Sequence, residues 1–152
     1  MENKDQISFG LRSIRTEQFA IIESAFDKNN DNVELGNGIR FGFNLEKRSI
    51  IVLLSVNFSQ DKSPFIILEI GCFFEIGIEE WKELFNLEKA EITLPLGFAR
   101  HLVVLAMGTL RGVLHAKLEN TAFNMFLLPT INVTEFVKED VIIKTNDAIE
   151  IK

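Results

Sequence analysis

The chain has 152 residues, of which 47% are apolar and 25% are charged, and its net charge is −6. This balance excludes disordered and fibrous proteins, and the length predicts one domain with a buried core. The acidic charge argues against nucleic-acid binding, which needs clustered Lys and Arg to neutralise phosphates. The one cysteine, Cys72, cannot form an internal disulfide, and residues 1–10 lack the pattern of a signal peptide. We therefore expect a cytoplasmic protein.

Four segments rich in β-branched and aromatic residues are predicted as strands. They are residues 11–22, 38–47, 49–60 and 65–76. The last two are separated by the turn-forming sequence Asp-Lys-Ser-Pro, which predicts a β-hairpin. In the first segment the spacing of Phe19 and Ile22 would also suit a helix, and we favour a strand. Short loops favour an antiparallel sheet, and a helix that follows the strands gives the class α+β.

One long helix is predicted after the strands. Residues 79–93 form an irregular crossover or a short helix before it. Pro95 suits the first turn of the long helix, which extends to about Glu119. The apolar run inside it is bounded by Arg100 and Arg111 and is shorter than the roughly 20 residues that cross a bilayer. We therefore expect a buried helix and no direct membrane insertion.

An extended segment containing Pro129 follows the long helix. Asn132 or Thr134 is expected to cap a short C-terminal helix that reaches Phe136. The predicted boundaries are residues 1–140 for a single domain and 141–152 for a C-terminal tail.

The outer face of the long helix is unusually apolar. Successive turns place five residues on one stripe: Arg100, Val104, Met107, Arg111 and His115. Val104 and Met107 lie in the middle of the stripe, where a monomer would expose polar side chains. Gly108 and Gly112, four residues apart, would let a second backbone approach closely. A loop of the same chain would be one cover for this face, but we favour self-association, because one four-stranded sheet covers one side of a helix.

Four short motifs follow one another along the chain. They are Ile67-Leu68-Glu69-Ile70, Phe74-Glu75-Ile76, Phe98-Ala99-Arg100 and Leu127-Leu128-Pro129-Thr130-Ile131-Asn132. Their order and spacing, over most of residues 11–137, resemble those of the SecB export-chaperone family. The resemblance implies a SecB-like fold and a homotetramer built as a dimer of dimers. It also implies ATP-independent binding of unfolded polypeptides, delivery of preproteins to the SecA motor, and no cofactor.

The resemblance further implies which residues act. Glu69 matches a glutamate that the family uses to dock on SecA, and Ile67 is the neighbouring apolar position. Family clients lie in long apolar grooves, which aromatic side chains suit because they bind varied apolar segments. We name four candidates for that groove, and expect the second and third to be the most exposed: Phe74, Trp81, Phe85 and Phe126.

Two other functions remain open, a dedicated chaperone and a scaffold, whereas the residues argue against a third, an enzyme. Similar proteins include chaperones dedicated to the antitoxin of a toxin–antitoxin system. A scaffold for one folded partner would instead present a compact apolar patch. For an enzyme, His101 and His115 lie about 21 Å apart along one helix and cannot share a metal ion. Cys72 lies in an apolar strand, where a buried and inert thiol is expected. We therefore predict no catalytic residue, no metal site and no enzyme activity.

Overall fold

A computed structural model describes residues 6–145 of the chain. Four long antiparallel strands form one sheet in the order β1-β4-β3-β2. Their bounds are Phe9–Ile21 (β1), Glu34–Asn44 (β2), Ser49–Gln60 (β3) and Ser63–Ile76 (β4). The predicted antiparallel sheet of four strands is confirmed. Segment 11–22 is a strand and not a helix, because it pairs with β4 along almost its whole length.

The two central strands are buried because apolar residues occupy both of their faces. On the inner face, Ile50, Val52 and Leu54 of β3 lie in the main core. On the outer face, Ile51 and Leu53 form a small separate cluster with Phe73 of β4. A strand buried on both sides gives a continuous apolar run instead of an alternating pattern, as residues 49–60 do.

The predicted crossover contains a short helix, α1 (Ile78–Leu84), as one of the two alternatives proposed. It leads into a second sheet of three short strands in the order β5-β6-β7. The bounds are Phe85–Asn86 (β5), Glu91–Leu94 (β6) and Val141–Lys144 (β7). Strand β7 lies in the segment treated as a tail, where no strand was predicted. It pairs with β6 and buries Ile143 in the main core, so residues 141–144 pack with the domain.

The long helix α2 (Leu96–Leu118) crosses the inner face of the large sheet. It begins directly after Pro95, and the backbone N–H of Leu96 donates to the Asp140 carboxylate at 2.8 Å. A carboxylate at this end is favourable because the first N–H groups of a helix are unpaired and carry partial positive charge. The side of α2 toward the sheet is buried through Ala99, Leu102, Val103, Ala106, Leu110, Leu114 and Leu118.

α2 is long and apolar enough to cross a membrane by length and composition, as are many core helices of soluble proteins. This property belongs to the whole helix, whereas the shorter run predicted from the sequence is the one between Arg100 and Arg111. Packing of one side of α2 against the sheet supports the core-helix interpretation and agrees with the prediction that one sheet covers one side of the helix. Val104 and Leu105, on the opposite side, are 52% and 39% exposed.

The predicted extended segment returns antiparallel to α2 after the helix ends. Two guanidinium groups of α2 hold it. The Arg111 side chain donates to the carbonyl oxygens of Leu128 and Pro129, both at 3.1 Å. The Arg100 Nε donates to the Val137 carbonyl at 2.8 Å. The predicted C-terminal helix is a single 3₁₀ turn, residues 133–135, capped as predicted by the Asn132 side chain.

Candidate functional site

An open cavity of about 730 Å³ lies where the start of β1, the short helix α1 and the first turns of α2 meet. We call it the α1 groove. Its apolar lining is Ile7, Phe9, Leu84, Pro95 and Phe98, and its polar rim includes Glu80, Glu83 and His101. The groove thus combines an apolar, aromatic floor with two carboxylates at its edge.

Phe9 is the central aromatic side chain of the α1 groove. Its ring meets the Phe98 ring edge-on at 5.4 Å and the His101 ring at 5.6 Å between centroids. Below it, the Phe74 ring lies 6.0 Å away and is completely buried. Edge-to-face packing fixes the ring orientations, so the floor of the groove is formed before any ligand arrives.

Two of the four predicted groove residues are covered by the chain itself. Trp81 is only 7% exposed, and Phe74 is fully buried beneath Phe9. The exposure expected for Trp81 is therefore wrong. α1 is amphipathic, with charged residues pointing outward, and its one Trp inserts against Phe43 while stacking on the half-buried Phe85. Phe74 serves the groove as support for Phe9 and not as its surface.

Phe126 belongs to a second aromatic cluster far along the sheet from the α1 groove. The cluster comprises Phe26, Phe58, Phe65, Phe123 and Phe126. Phe126 is half-buried, whereas its chain neighbours Met125 and Leu127 are well exposed. The segment after α2 therefore carries an additional apolar surface. Of its residues, only Phe126 was predicted from the sequence.

Phe9 and Phe98 were missed as groove residues. Phe9 precedes the predicted first strand, and Phe98 was used only as part of a motif. The signal available in the sequence was the aromatic residue at the first turn of α2, with its position fixed by Pro95. Its partner at the start of β1 is 89 positions away, and only the sheet register brings the two rings together.

The fold is similar to that of a known protein, although the sequence is not. No protein-family model matches the sequence, and no curated protein is similar to it in sequence. Among solved structures, the fold matches the Mycobacterium tuberculosis SecB-like chaperone Rv1957, in complex with a ChAD peptide from the HigA1 antitoxin, at TM-score 0.50 and 12% identity. The match covers 81% of this chain and 90% of that chain. The fold is SecB-like. This confirms the predicted fold, and at so low an identity the likeness concerns the fold alone.

In this SecB-like fold, Glu69 lies on the outer face of the large sheet, away from α2. Its carboxylate accepts from the Arg40 guanidinium at 3.3 and 3.4 Å. Ile67, two residues earlier on the same strand, is half-buried. A partner that docks on Glu69 would compete with Arg40, so the docking role remains a prediction with a defined intramolecular competitor.

The outer side of α2 is an exposed apolar stripe, which we call the α2 stripe: Val104, Leu105, Gly108 and Gly112. Met107 was placed on this stripe and needs a correction. It is 5% exposed. Arg100 and Arg111 share its stripe and both donate to the segment that returns after α2, which places that segment over this side of the helix. A Cβ added at Gly108 or Gly112 would meet nothing within 4 Å, so the chain leaves both glycines open.

Cys72 lies at the centre of β4 and is fully buried. Burial raises the pKa of its thiol above the ordinary value of 9.0, and a hydrogen bond with the Thr109 side chain opposes part of that rise. This environment favours an inert thiol at neutral pH. Within residues 6–145, no group of three or more His, Cys, Asp or Glu side chains is arranged to hold a metal ion.

Proposed function

We propose that this protein is an ATP-independent chaperone that holds non-native polypeptide segments in the α1 groove. The observation that carries the proposal is the preformed aromatic floor of Phe9 and Phe98 in an open cavity of about 730 Å³. A cavity of this size accommodates two or three side chains of an extended segment. Aromatic surface suits varied apolar residues because its attraction has little directional demand.

The rim of the α1 groove limits which segments bind best. Glu80 and Glu83 contribute two carboxylates beside the apolar floor. An apolar segment flanked by Lys or Arg would place its charges against them, whereas an acidic flank would be repelled. The proposed client is therefore an apolar stretch with basic neighbours, exposed only while its protein is unfolded.

Calorimetric titration with a reduced, permanently unfolded polypeptide tests the proposal, with the same polypeptide in its folded form as the reference. We expect binding of the unfolded form alone. Phe98→Gln removes part of the floor and should weaken binding by about tenfold, since it forfeits roughly 1–2 kcal/mol of apolar burial. Phe136→Gln is the matched control, because Phe136 is exposed and lies outside the groove lining. Equal loss in both variants would contradict the α1 groove as the binding site.

A second candidate function is a chaperone dedicated to one client. The observation that favours it is the solved structure with a similar fold, which contains a ChAD peptide from an antitoxin. Competition between unrelated unfolded polypeptides separates the two candidates. A general holding chaperone would show mutual displacement, whereas a dedicated one would bind its own client and ignore the others. A scaffold for one folded partner would bind none of them.

Assembly and delivery extend the proposal. The α2 stripe is the proposed surface for self-association into a dimer of dimers in the cytoplasm. Delivery of preproteins to SecA would use Glu69 and Ile67 on the outer sheet face, after displacement of Arg40. A pull-down of SecA by the wild-type protein, lost in Glu69→Lys and retained in Glu79→Lys, would support delivery for export. Glu79 is the control because it is exposed on α1.

A further inference from the structure

The outer face of the large sheet contains a second cavity, of about 440 Å³, at the end opposite the β3–β4 turn. We call it the basic cleft. Four cationic side chains line it together with one aromatic ring: Arg12, Arg15, Lys47, Arg48 and Phe73. The cleft lies on the other side of the sheet from α2 and shares no lining residue with the α1 groove.

The β2–β3 turn forms one wall of the basic cleft and is held firmly in place. The Asn44 side chain accepts from the backbone N–H of Lys47 at 2.9 Å. Arg48 has a φ of 47°, which a non-Gly residue rarely adopts, and its carbonyl accepts from the N–H of Ile76 at 2.8 Å. These bonds fix the turn to β4, so the Lys47 and Arg48 side chains line a preformed cavity.

Charge in the basic cleft is unevenly balanced. One carboxylate, Glu75, serves two guanidinium groups, with Arg12 Nε at 3.1 Å and Arg48 Nη2 at 3.9 Å. The lining contains four cationic side chains and two acidic ones, Glu46 and Glu75, in a chain whose net charge is −6. Among residues 6–145, the buried Arg48 Nε has no hydrogen-bond partner. The cleft is therefore a local positive site in an otherwise acidic protein.

Phe73 gives the basic cleft an apolar component. The Arg15 guanidinium lies over the Phe73 ring at 5.0 Å from its centroid. This contact holds Arg15 against the sheet, and a cation–π contact uses none of the guanidinium N–H donors that an acceptor would need. A ligand that fits would present carboxylates to the guanidinium groups and an apolar side chain to the aliphatic stems of the arginines, because Phe73 itself is only 8% exposed.

We infer that the basic cleft is a docking site for an acidic polypeptide segment that carries an apolar residue among its Asp and Glu side chains. Charge complementarity selects this partner, because the net charge of the chain repels acidic segments elsewhere and directs them to the cleft. A nucleic acid fits less well. Glu46 and Glu75 would face its phosphates, and four cations neutralise fewer charges than the several contacts that tight backbone binding requires.

Fluorescence anisotropy with three short labelled peptides tests the inference. One is rich in Glu and contains one Phe; the others carry Gln or Lys in place of Glu. We expect the wild-type protein to bind the Glu peptide at least tenfold more tightly than the Gln peptide, with the difference diminishing at high salt. Arg12→Glu and Arg15→Glu should each remove most of that preference. Lys62→Glu is the matched control, with the same charge change at the opposite end of the sheet.

The charge-reversal variants of the basic cleft need a folding control. Arg12 and Arg15 are exposed, so their variants should keep the wild-type circular dichroism spectrum, and Lys47→Glu provides a third variant on a different element. Equal binding of the Glu and Gln peptides overturns the inference. So does an equal effect of Lys62→Glu. Tighter binding of a single-stranded RNA than of the Glu peptide, abolished by the same variants, would replace the acidic segment with a phosphate ligand. Phe98→Gln should leave peptide binding at the cleft unchanged, which separates this test from that of the α1 groove.

Discussion

Cys72 shows how burial changes the behaviour of a reactive side chain. Its thiol pKa is raised in the folded protein because burial penalises the thiolate, whereas in the unfolded chain it ionises near 9.0. The unfolded state therefore releases this proton at a lower pH than the folded state. The contribution of the protonated thiol is fully present below about pH 9 and is lost as pH rises toward the folded pKa.

We expect the free energy of unfolding to fall as pH rises above about 9, and to fall less steeply in Cys72→Ala. Urea unfolding at several pH values measures both slopes. The variant also loses stability at every pH because it leaves a small cavity, so the comparison concerns the slopes and not the absolute values. Parallel slopes would show that the thiol ionises equally in both states.

At the scale of elements, the segment after α2 depends on two arginines for its position. Arg111 donates to two consecutive carbonyls, those of Leu128 and Pro129. Hydrogen bonds from a charged donor contribute about 1.5–3 kcal/mol, so Arg111→Ala should destabilise the protein by about 2 kcal/mol. Amide hydrogen exchange in residues 121–137 should be faster in Arg111→Ala than in the wild type. Exchange in the strands should change less, because the effect is local.

Lys117→Ala is the matched control for that prediction. Lys117 is on the same helix, and its ammonium lies 4.9 Å from the centre of the Phe19 ring, so it contacts β1. In Lys117→Ala, we expect amide hydrogen exchange in residues 121–137 to match that of the wild type. If both variants loosen the segment equally, loss of charge on α2 and not the two carbonyl bonds is responsible.

The elements differ in how far the sequence predicts them. The four long strands and α2 were predicted because each contains enough residues for its periodicity to be recognised. Strand β7 has four residues, and its pairing with β6 is a contact over 47 positions or more, which no local pattern encodes. The exposure of Trp81 was predicted wrongly for a related reason. A large apolar residue in a short charged segment is equally compatible with either orientation until the sheet against which it packs is placed.

Some residues of the candidate sites follow from local sequence patterns, whereas others depend on contacts between distant segments. Val104 was placed on the outer side of α2 by helical periodicity, and it is exposed. Gly108 and Gly112, predicted from their spacing of four to admit a second backbone, are exposed as well. Met107 directly precedes Gly108 and lies on the side of α2 that the returning segment covers. Helical periodicity alone does not show which side a later segment covers. The basic cleft joins the start of β1 to the β2–β3 turn and the end of β4, whereas the α1 groove joins the start of β1 to α1 and α2. Pairing of β1 with β4 is therefore needed for both sites, and no local sequence pattern encodes it.

For the whole molecule, three surfaces have different chemistry. The α1 groove has an apolar floor with an acidic rim, the basic cleft is on the outer sheet face, and the α2 stripe is apolar. Leu11 and Ile14 of edge strand β1 are exposed on the same side of the sheet as α2, because they pair with Phe74 and Cys72 of the core face. They add exposed apolar area on that side of the sheet, which in a monomer would remain in contact with water.

Gly108 and Gly112 provide the sharpest test of assembly, because stability and association should change in opposite directions. Glycine in an exposed helix interior is less stable than alanine by about 1 kcal/mol, so Gly108→Ala and Gly112→Ala should each stabilise the isolated chain. If two α2 helices approach through these positions, added side chains separate the backbones. Gly108→Leu with Gly112→Leu should therefore yield monomers by light scattering, with wild-type circular dichroism.

Gly97→Ala is the control for this prediction, since Gly97 is equally open but lies in the first turn of α2, away from the centre of the stripe. It should keep the wild-type mass. A wild-type protein that is already monomeric, or a double leucine variant that assembles as the wild type does, would contradict the α2 stripe as an interface. Its glycines would then lower helix stability with no gain from association, and a client or another partner would be the remaining cover for the stripe.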